Sequence, residues 1–256
     1  MQTLTPSEQS RYSRQMMIPN WGAEGQLRLK NASVFIVGAG GLGSPVSIGL
    51  AVAGVGELHI CDADVVELSN LNRQILHKDS RIGMPKAVSA HKTLTALNPD
   101  IRVVPHEVYL DESNIEKIVD RPDLVIDCLD NFDTRYLLNH YCLQRQIPLI
   151  HGAVEGFIGQ TTFLQPPETP CLRSIFPEAP PKRLFPIVGV TASIIGSIQA
   201  MEALKYLTGM GPALKNRLLI FDGEDMTFLS VNLQRNPHCP ECGHLTPTEP
   251  AAPEPN

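Results

Sequence analysis

The chain has 256 residues, 43% of them hydrophobic, and a formal net charge of −6 at neutral pH. A chain of this length buries roughly three quarters of its unfolded surface, so one large α/β domain needs no covalent staples. Six cysteines are too few for a disulfide scaffold, and an acidic balance without a Lys/Arg run argues against a nucleic-acid binder.

Residues 1–11 are polar and contain no apolar run of the signal-peptide kind. Thr5-Pro6-Ser7-Glu8 predicts a helix start, with Thr5 as N-cap, Pro6 in the first turn and Glu8 completing a capping box. That helix is expected to carry Tyr12, Arg14 and Gln15. Residues 32–56 hold no charge and are long enough to suggest a membrane span, yet they contain seven glycines and Pro45. They read better as a buried strand at 34–37, a glycine turn and a buried helix through Ala53, so no membrane is expected and the location is read as cytoplasmic.

A strand follows at 57–61, then a helix at 86–97 ending at Asn98-Pro99, a strand at 102–108 and a helix at 112–119. Residues 124–127 read as a buried strand, 134–145 as a helix and 148–152 as a strand. This alternation predicts a Rossmann-like, mainly parallel sheet with helices on both faces. From Gly159 the pattern changes: 160–165, 217–222 and 227–233 read as strands without intervening helices, an antiparallel extension in the C-terminal half. Residues 166–186 hold seven of the 22 prolines and read as a long loop. Residues 188–207 read as a helix stopped by Gly209, and 246–256 as a disordered Pro/Glu/Ala tail.

Gly38, Gly40 and Gly43 have the spacing of a dinucleotide-type loop: a tight turn, close backbone approach and close helix–sheet packing. The helix that follows would offer free N–H groups to a phosphate. Asp62 ends the next strand in the place of a ribose-binding acid. These residues alone suit an NAD-dependent oxidoreductase equally well. Arg73, Lys86 and Asp130 shift the balance, because a pyrophosphate held by backbone needs no further cations whereas a triphosphate does. Asp130, just past the strand at 124–127, is placed to hold Mg²⁺ between phosphates.

The ordered set Arg11-Tyr12-x-Arg14-Gln15, Gly38-x-Gly40-Gly41-x-Gly43, Asp62-x-Asp64, Ser69-Asn70-Leu71-x-Arg73-Gln74, Pro85-Lys86 and Asp127-x-x-Asp130-Asn131 resembles the ThiF/MoeB/HesA family, bacterial relatives of the ubiquitin-activating enzymes. The resemblance spans about residues 7–243. It implies an ATP-dependent adenylyltransferase acting on the C-terminal Gly-Gly carboxylate of a small ubiquitin-fold sulfur-carrier protein, in molybdopterin or thiamin synthesis, with a sulfur-donor enzyme as a further partner. It also implies a homodimer in which Arg14 reaches the partner's site. Arg73, Lys86 and Asn70 would hold phosphates, Asp62 the ribose and Asp130 Mg²⁺. Gly38, Gly40, Gly41, Gly43, Asp64, Gln74, Leu129 and Asn131 would complete the nucleotide site. One adenylating domain over 1–245 is expected, with a nucleotide part at about 30–152 and a carrier-binding and zinc part at about 153–245. An NAD-dependent oxidoreductase, a relative adenylating tRNA and a scaffold that has lost ATP binding remain as alternatives.

Two departures from the family pattern follow. Relatives commonly hold structural zinc with two Cys-x-x-Cys pairs; here Cys239-Pro240-Glu241-Cys242 is intact, but the first pair is Cys171-Leu172-Arg173-Ser174. Zinc on three thiolates plus His238, His244 or water is the favoured reading, and loss of the site the other. Many relatives also carry a cysteine in the stretch matching 175–185, and this chain has none there. It is therefore expected to stop at the acyl-adenylate, with Lys182 and Arg183 guiding the carrier's tail.

Overall fold

The computed structural model describes residues 3–181, 183 and 185–245. The expected tail at 246–256 and Lys182 lie outside the described residues. In chain order the elements are α1 (Pro6–Arg11), α2 (Ser13–Met16), α3 (Gly22–Asn31), β1 (Ser33–Val37), α4 (Gly43–Ala53), β2 (Glu57–Cys61), α5 (Lys86–Leu97), β3 (Arg102–His106), α6 (Ile115–Val119), β4 (Leu124–Asp127), α7 (Phe132–Arg145), β5 (Leu149–Glu155), β6 (Ile158–Leu164), α8 (Leu172–Ile175), α9 (Gly189–Thr208), β7 (Arg217–Asp222) and β8 (Thr227–Asn232).

The strands form one eight-stranded sheet in the order β3-β2-β1-β4-β5-β6-β7-β8. The first five are mutually parallel, and β6, β7 and β8 extend the sheet antiparallel from β5. Strand order reverses between β1 and β4, so the crevice at their carboxyl ends is where an open α/β sheet takes its ligand. The apolar runs of β1 and β4 serve both faces. Val34, Ile36 and Ile126 meet Leu50 of α4 and Ile195 of α9, while Phe35, Val37 and Val125 meet Leu138 of α7 and Leu172 of α8.

The Thr5–Glu8 capping box forms as expected, but the amino-terminal helix breaks at Tyr12 into α1 and α2. Tyr12 turns inward, and its hydroxyl accepts from Asn98 Nδ2 at 2.8 Å while that amide also donates to Ala51 O at 2.7 Å. The chain end is thus pinned to the C-terminus of α4, and α2 is left to present Arg14 outward. The strand expected at 102–108 ends at His106, and the helix at 112–119 starts only at Ile115. In place of Thr134, the helix starts at Phe132 because Asn131 supplies its cap, accepting from Thr134 N at 3.0 Å. Within the proline-rich stretch, expected to be loop throughout, one helical turn forms at α8, where Leu172 N donates to Asn139 Oδ1 at 2.8 Å. No helix among the described residues is long and apolar enough to cross a membrane.

Asn98→Ala removes the donor that joins the buried Tyr12 hydroxyl to the Ala51 carbonyl, which keeps only the Gly54 N–H at 3.2 Å. Stability should fall by roughly 2–3 kcal/mol in urea unfolding, and a loss below about 0.5 kcal/mol would show that this tether contributes little.

Candidate functional site

At the carboxyl end of β1 the chain turns at Gly38, whose φ of 99° suits glycine and where a Cβ would lie 2.6 Å from Cys128 O. Gly43 opens α4 so close beneath this turn that a Cβ would sit 1.9 Å from Gly38 O. Between them the Ala39 peptide is held from both sides. Its N–H donates to Asp62 Oδ2 at 2.8 Å, and its carbonyl lies 2.9 Å from His77 Nε2. A carbonyl only accepts, so Nε2 carries the proton and Nδ1 faces Ser89 Oγ at 2.9 Å. No side chain caps α4; Ser44 N already donates to Gly40 O at 3.0 Å and Pro45 has no N–H, so the Gly43 amide and the positive end of the helix are what it offers a ligand.

Charged groups ring this cradle. Asp62 Oδ1 accepts from Asp64 N at 2.9 Å; burial raises its carboxyl pKa, and Lys86 pulls against that rise. Lys86, the first residue of α5, is only 7% exposed. Its ammonium pairs with Asp64 Oδ2 at 2.8 Å, and that bond holds the Asp64 carboxyl below its ordinary range. The Tyr109 hydroxyl donates to Asp64 Oδ1 at 2.7 Å. That bond is the chief reason its own pKa is raised, and the charges of Asp62 and Asp130 add to the rise. Arg73 reaches Ser69 O and Asn72 Oδ1, both at 2.9 Å, and its Cγ would lie 3.7 Å from a Cβ on Gly41. Asn70 is buried and accepts from Glu67 N at 3.0 Å. Gln74 is also buried, its Nε2 beside Gly40.

The Leu129–Asn131 turn leaves β4 beside the cradle. Asp130 is exposed there, between half-buried Leu129 and the capping residue Asn131. Below it lie Asp127, Arg135 and His151. Burial alone would raise the Asp127 carboxyl, but Arg135, His151 and the Leu129 N–H together hold it below its ordinary range. His151 is depressed mainly by its own burial, against the pull of Asp127. At the other end of the sheet a cleft of about 500 Å³ is lined by Tyr12, Lys30, Glu57 and Arg102. Lys30 pairs there with Glu8 and Arg102 with Glu57, and the cleft lies away from the carboxyl edge at which open α/β sheets bind ligands.

The three cysteines of the broken zinc pattern do meet. The Sγ atoms of Cys171, Cys239 and Cys242 all lie within 4.8 Å of one another, with Cys171 and Cys239 at 3.8 Å. Ser174 lies on α8 three residues past Cys171, and its hydroxyl accepts from Asn236 N at 2.8 Å. Bonds from Cys171, Ser174 and Cys239 draw the Cys242 thiol down to about 6. His238 and His244, the expected alternatives for a fourth ligand, are exposed and outside this group. All six cysteines are buried and free.

Apart from Arg14, which stands exposed on α2, the residues expected at the nucleotide site gather along one edge of the sheet. Sequence reasoning missed His77, Tyr109, Arg135 and His151. Only Arg135 had a visible cue, as the cation one helical turn past the Asn131 cap.

Comparison with known proteins agrees with this geometry. The model of the ThiF family matches residues 12–241. The SAMP-activating enzyme E1 of Haloferax volcanii is 48% identical over 247 residues, which are 94% of this chain and 91% of that protein. The sulfur carrier protein adenylyltransferase of Thermus thermophilus is 44% identical over 250 residues, covering 93% of this chain and 92% of the relative. Among solved structures, E. coli MccB with ATP matches with a TM-score of 0.83 at 25% identity, covering 93% of this chain and 75% of that one.

The depressed imidazoles set a pH dependence. Burial is the chief reason that His77 and His151 resist protonation when folded, whereas unfolded they take a proton near pH 6.5. Their contribution to stability is therefore complete above that value and lost as pH falls through the lower folded values. His77→Gln, which keeps a donor for Ala39 O, should lessen the drop in urea midpoint between about pH 7 and pH 5. An unchanged drop would mean that His77 titrates alike in both states.

Proposed function

The chain belongs to the ThiF family, and from that membership we propose that it is an ATP-dependent adenylyltransferase. Its substrate is the C-terminal Gly-Gly carboxylate of a ubiquitin-fold sulfur carrier, which it converts to an acyl-adenylate with release of pyrophosphate. The observation that carries this reading is the single rim on which the glycine cradle, Arg73, Lys86 and Asp130 stand together. Backbone amides alone would suffice for a dinucleotide; two cations and an unburied acid beyond them suit a triphosphate.

A peptide carboxylate is already ionised at neutral pH and needs no base. Its oxygen bonds to the α-phosphorus as the bond from that phosphorus to the pyrophosphate oxygen breaks. The protein's part is orientation and neutralisation of charge. The cradle amides and Asn70 hold the phosphate chain, Lys86 and Arg73 meet the charge gathering on pyrophosphate, and Asp62 takes the ribose. Asp130 fits Mg²⁺ as an exposed carboxylate at the carboxyl edge and would hold the ion there, where it would supply neutralisation of phosphate charge. Arg14 completes the neighbouring site in a homodimer. Residues 153–245 form the carrier-binding half, in which Arg183 pairs with Glu155 at 2.6 Å.

Cys171, Cys239 and Cys242 fit zinc by donor type and spacing, and zinc bound to them supplies a cross-link from α8 to the segment around Cys239. The remaining thiols are buried, which withdraws them from a substrate and raises their pKa, that of Cys61 to about 12. The reaction in this protein ends at the acyl-adenylate, which an external sulfur donor consumes.

Asp130→Ala should lower carrier-dependent ATP–pyrophosphate exchange at least about 100-fold with the unfolding midpoint unchanged; near-normal exchange would overturn its assignment. Purified protein should carry about one zinc per chain, and a value well below one would show that the three-cysteine site is lost. Incubation with carrier and ATP should produce no adduct cleavable by reductant; trapping one would refute the cysteine-independent reaction.

A further inference from the structure

Asp127, Arg135 and His151 have no part in the reaction as described, yet they are 1%, 4% and 0% exposed. Arg135 Nε lies 3.2 Å from Asp127 Oδ2, and His151 Nδ1 donates to the same oxygen at 2.6 Å. From α9, Gln199 Nε2 donates to Asp127 O at 2.9 Å. Ion pairs this deeply buried are commonly no more stabilising than apolar side chains of the same volume. What this one does hold is the backbone of a single residue, Leu129. The Leu129 N–H donates to Asp127 Oδ1 at 2.9 Å, and the Leu129 carbonyl accepts from Arg135 Nη2. The same Nη2 donates to Gly152 O of β5 at 2.9 Å, which ties the turn to the neighbouring strand. On the far side of Asp130, Asn131 is fixed as the cap of α7. The exposed acid is the one free link between two anchored residues.

We propose that Asp127 and Arg135 are positioning residues for Asp130: by gripping the N–H and the carbonyl of Leu129, in the two peptide groups that lead into Asp130, they hold the Asp130 carboxylate at the rim, ready for a divalent cation, before nucleotide arrives. The inference rests on the reading of Asp130 as the Mg²⁺ acid. His151 serves as the neutral donor that satisfies the second Asp127 oxygen, and the Phe132 ring lies 5.1 Å from the Arg135 guanidinium carbon. An ammonium cannot replace that guanidinium, because it lacks the planar fork that reaches Asp127, Leu129 O and Gly152 O at once.

The test is the Mg²⁺ dependence of carrier-dependent ATP–pyrophosphate exchange in Arg135→Lys, Asp127→Asn and Asp130→Asn. For Arg135→Lys and Asp127→Asn the half-saturating Mg²⁺ concentration should rise about tenfold or more, as loss of a ligand-orienting partner does. The rate at saturating Mg²⁺ should stay within about threefold of the parent, since the acid itself is still present. A merely structural role predicts a lower melting temperature with Mg²⁺ dependence unmoved, and that result would overturn the proposal. If Asp130→Asn leaves the Mg²⁺ dependence unmoved, the metal reading itself fails; if it moves while Arg135→Lys does not, only the positioning claim fails. Should the buried substitutions not fold, hydrogen exchange in the unsubstituted protein decides. Without nucleotide, the Leu129 amide should exchange as slowly as those of β4. Fast exchange that slows only on adding ATP and Mg²⁺ would contradict a turn set in advance.

Discussion

Only a hydrogen atom fits on Gly43 where α4 meets the turn that ends β1, with the Gly38 carbonyl 1.9 Å from the place a Cβ would take. That contact sets the depth of the cradle, and the neighbouring pieces of the site are built onto it. The Ala39 peptide is gripped by Asp62 at the end of β2 and by His77 ahead of α5. Cys128, at the end of β4, lies against both glycines. Three strand ends and two helix starts therefore share one set of contacts, and side chains carried by any of them are held in register with the others.

The rim so formed is rich in charge but short of freedom. Lys86 is mostly buried and already ordered by Asp64, so a phosphate meeting it need not order a flexible side chain first. Asp127, Arg135 and His151 do for the β4 edge what Asp62 and His77 do for the β1 edge: buried polar groups hold a peptide, and the peptide presents a neighbour to solvent. Such an arrangement suits chemistry that proceeds by orientation and charge neutralisation. It suits covalent catalysis poorly, since every cysteine is withdrawn from the surface.

Much of the fold was legible because strand and helix periods are local. The continuous apolar runs of β1 and β4 marked a parallel sheet, and Glu57–Cys61 and Lys86–Leu97 were readable to the residue. The helix Gly22–Asn31 was not, because Gly22 at its start, Gly25 inside it and scattered polar residues blur the apolar stripe. The glycines and rim charges of the site could be read from type and spacing. His77, Tyr109 and His151 could not: each is a lone residue whose partner lies on another element, 38, 45 and 24 residues away. Ser174 was read as a defect in a metal pattern. Only the folded chain shows that its hydroxyl accepts from the Asn236 backbone, on the segment that carries Cys239 and Cys242.

The account stands on carboxylate attack at the α-phosphorus, and oxygen transfer tests that step without relying on any substitution. A ubiquitin-fold carrier ending in Gly-Gly, labelled with ¹⁸O in its terminal carboxylate, would be incubated with this protein, ATP, Mg²⁺ and hydroxylamine to consume the activated product. The AMP recovered should carry one ¹⁸O atom, left behind when the acyl–oxygen bond is cut. Unlabelled AMP, or ADP and phosphate in its place, would contradict adenylation of the carrier and with it the role given to the rim.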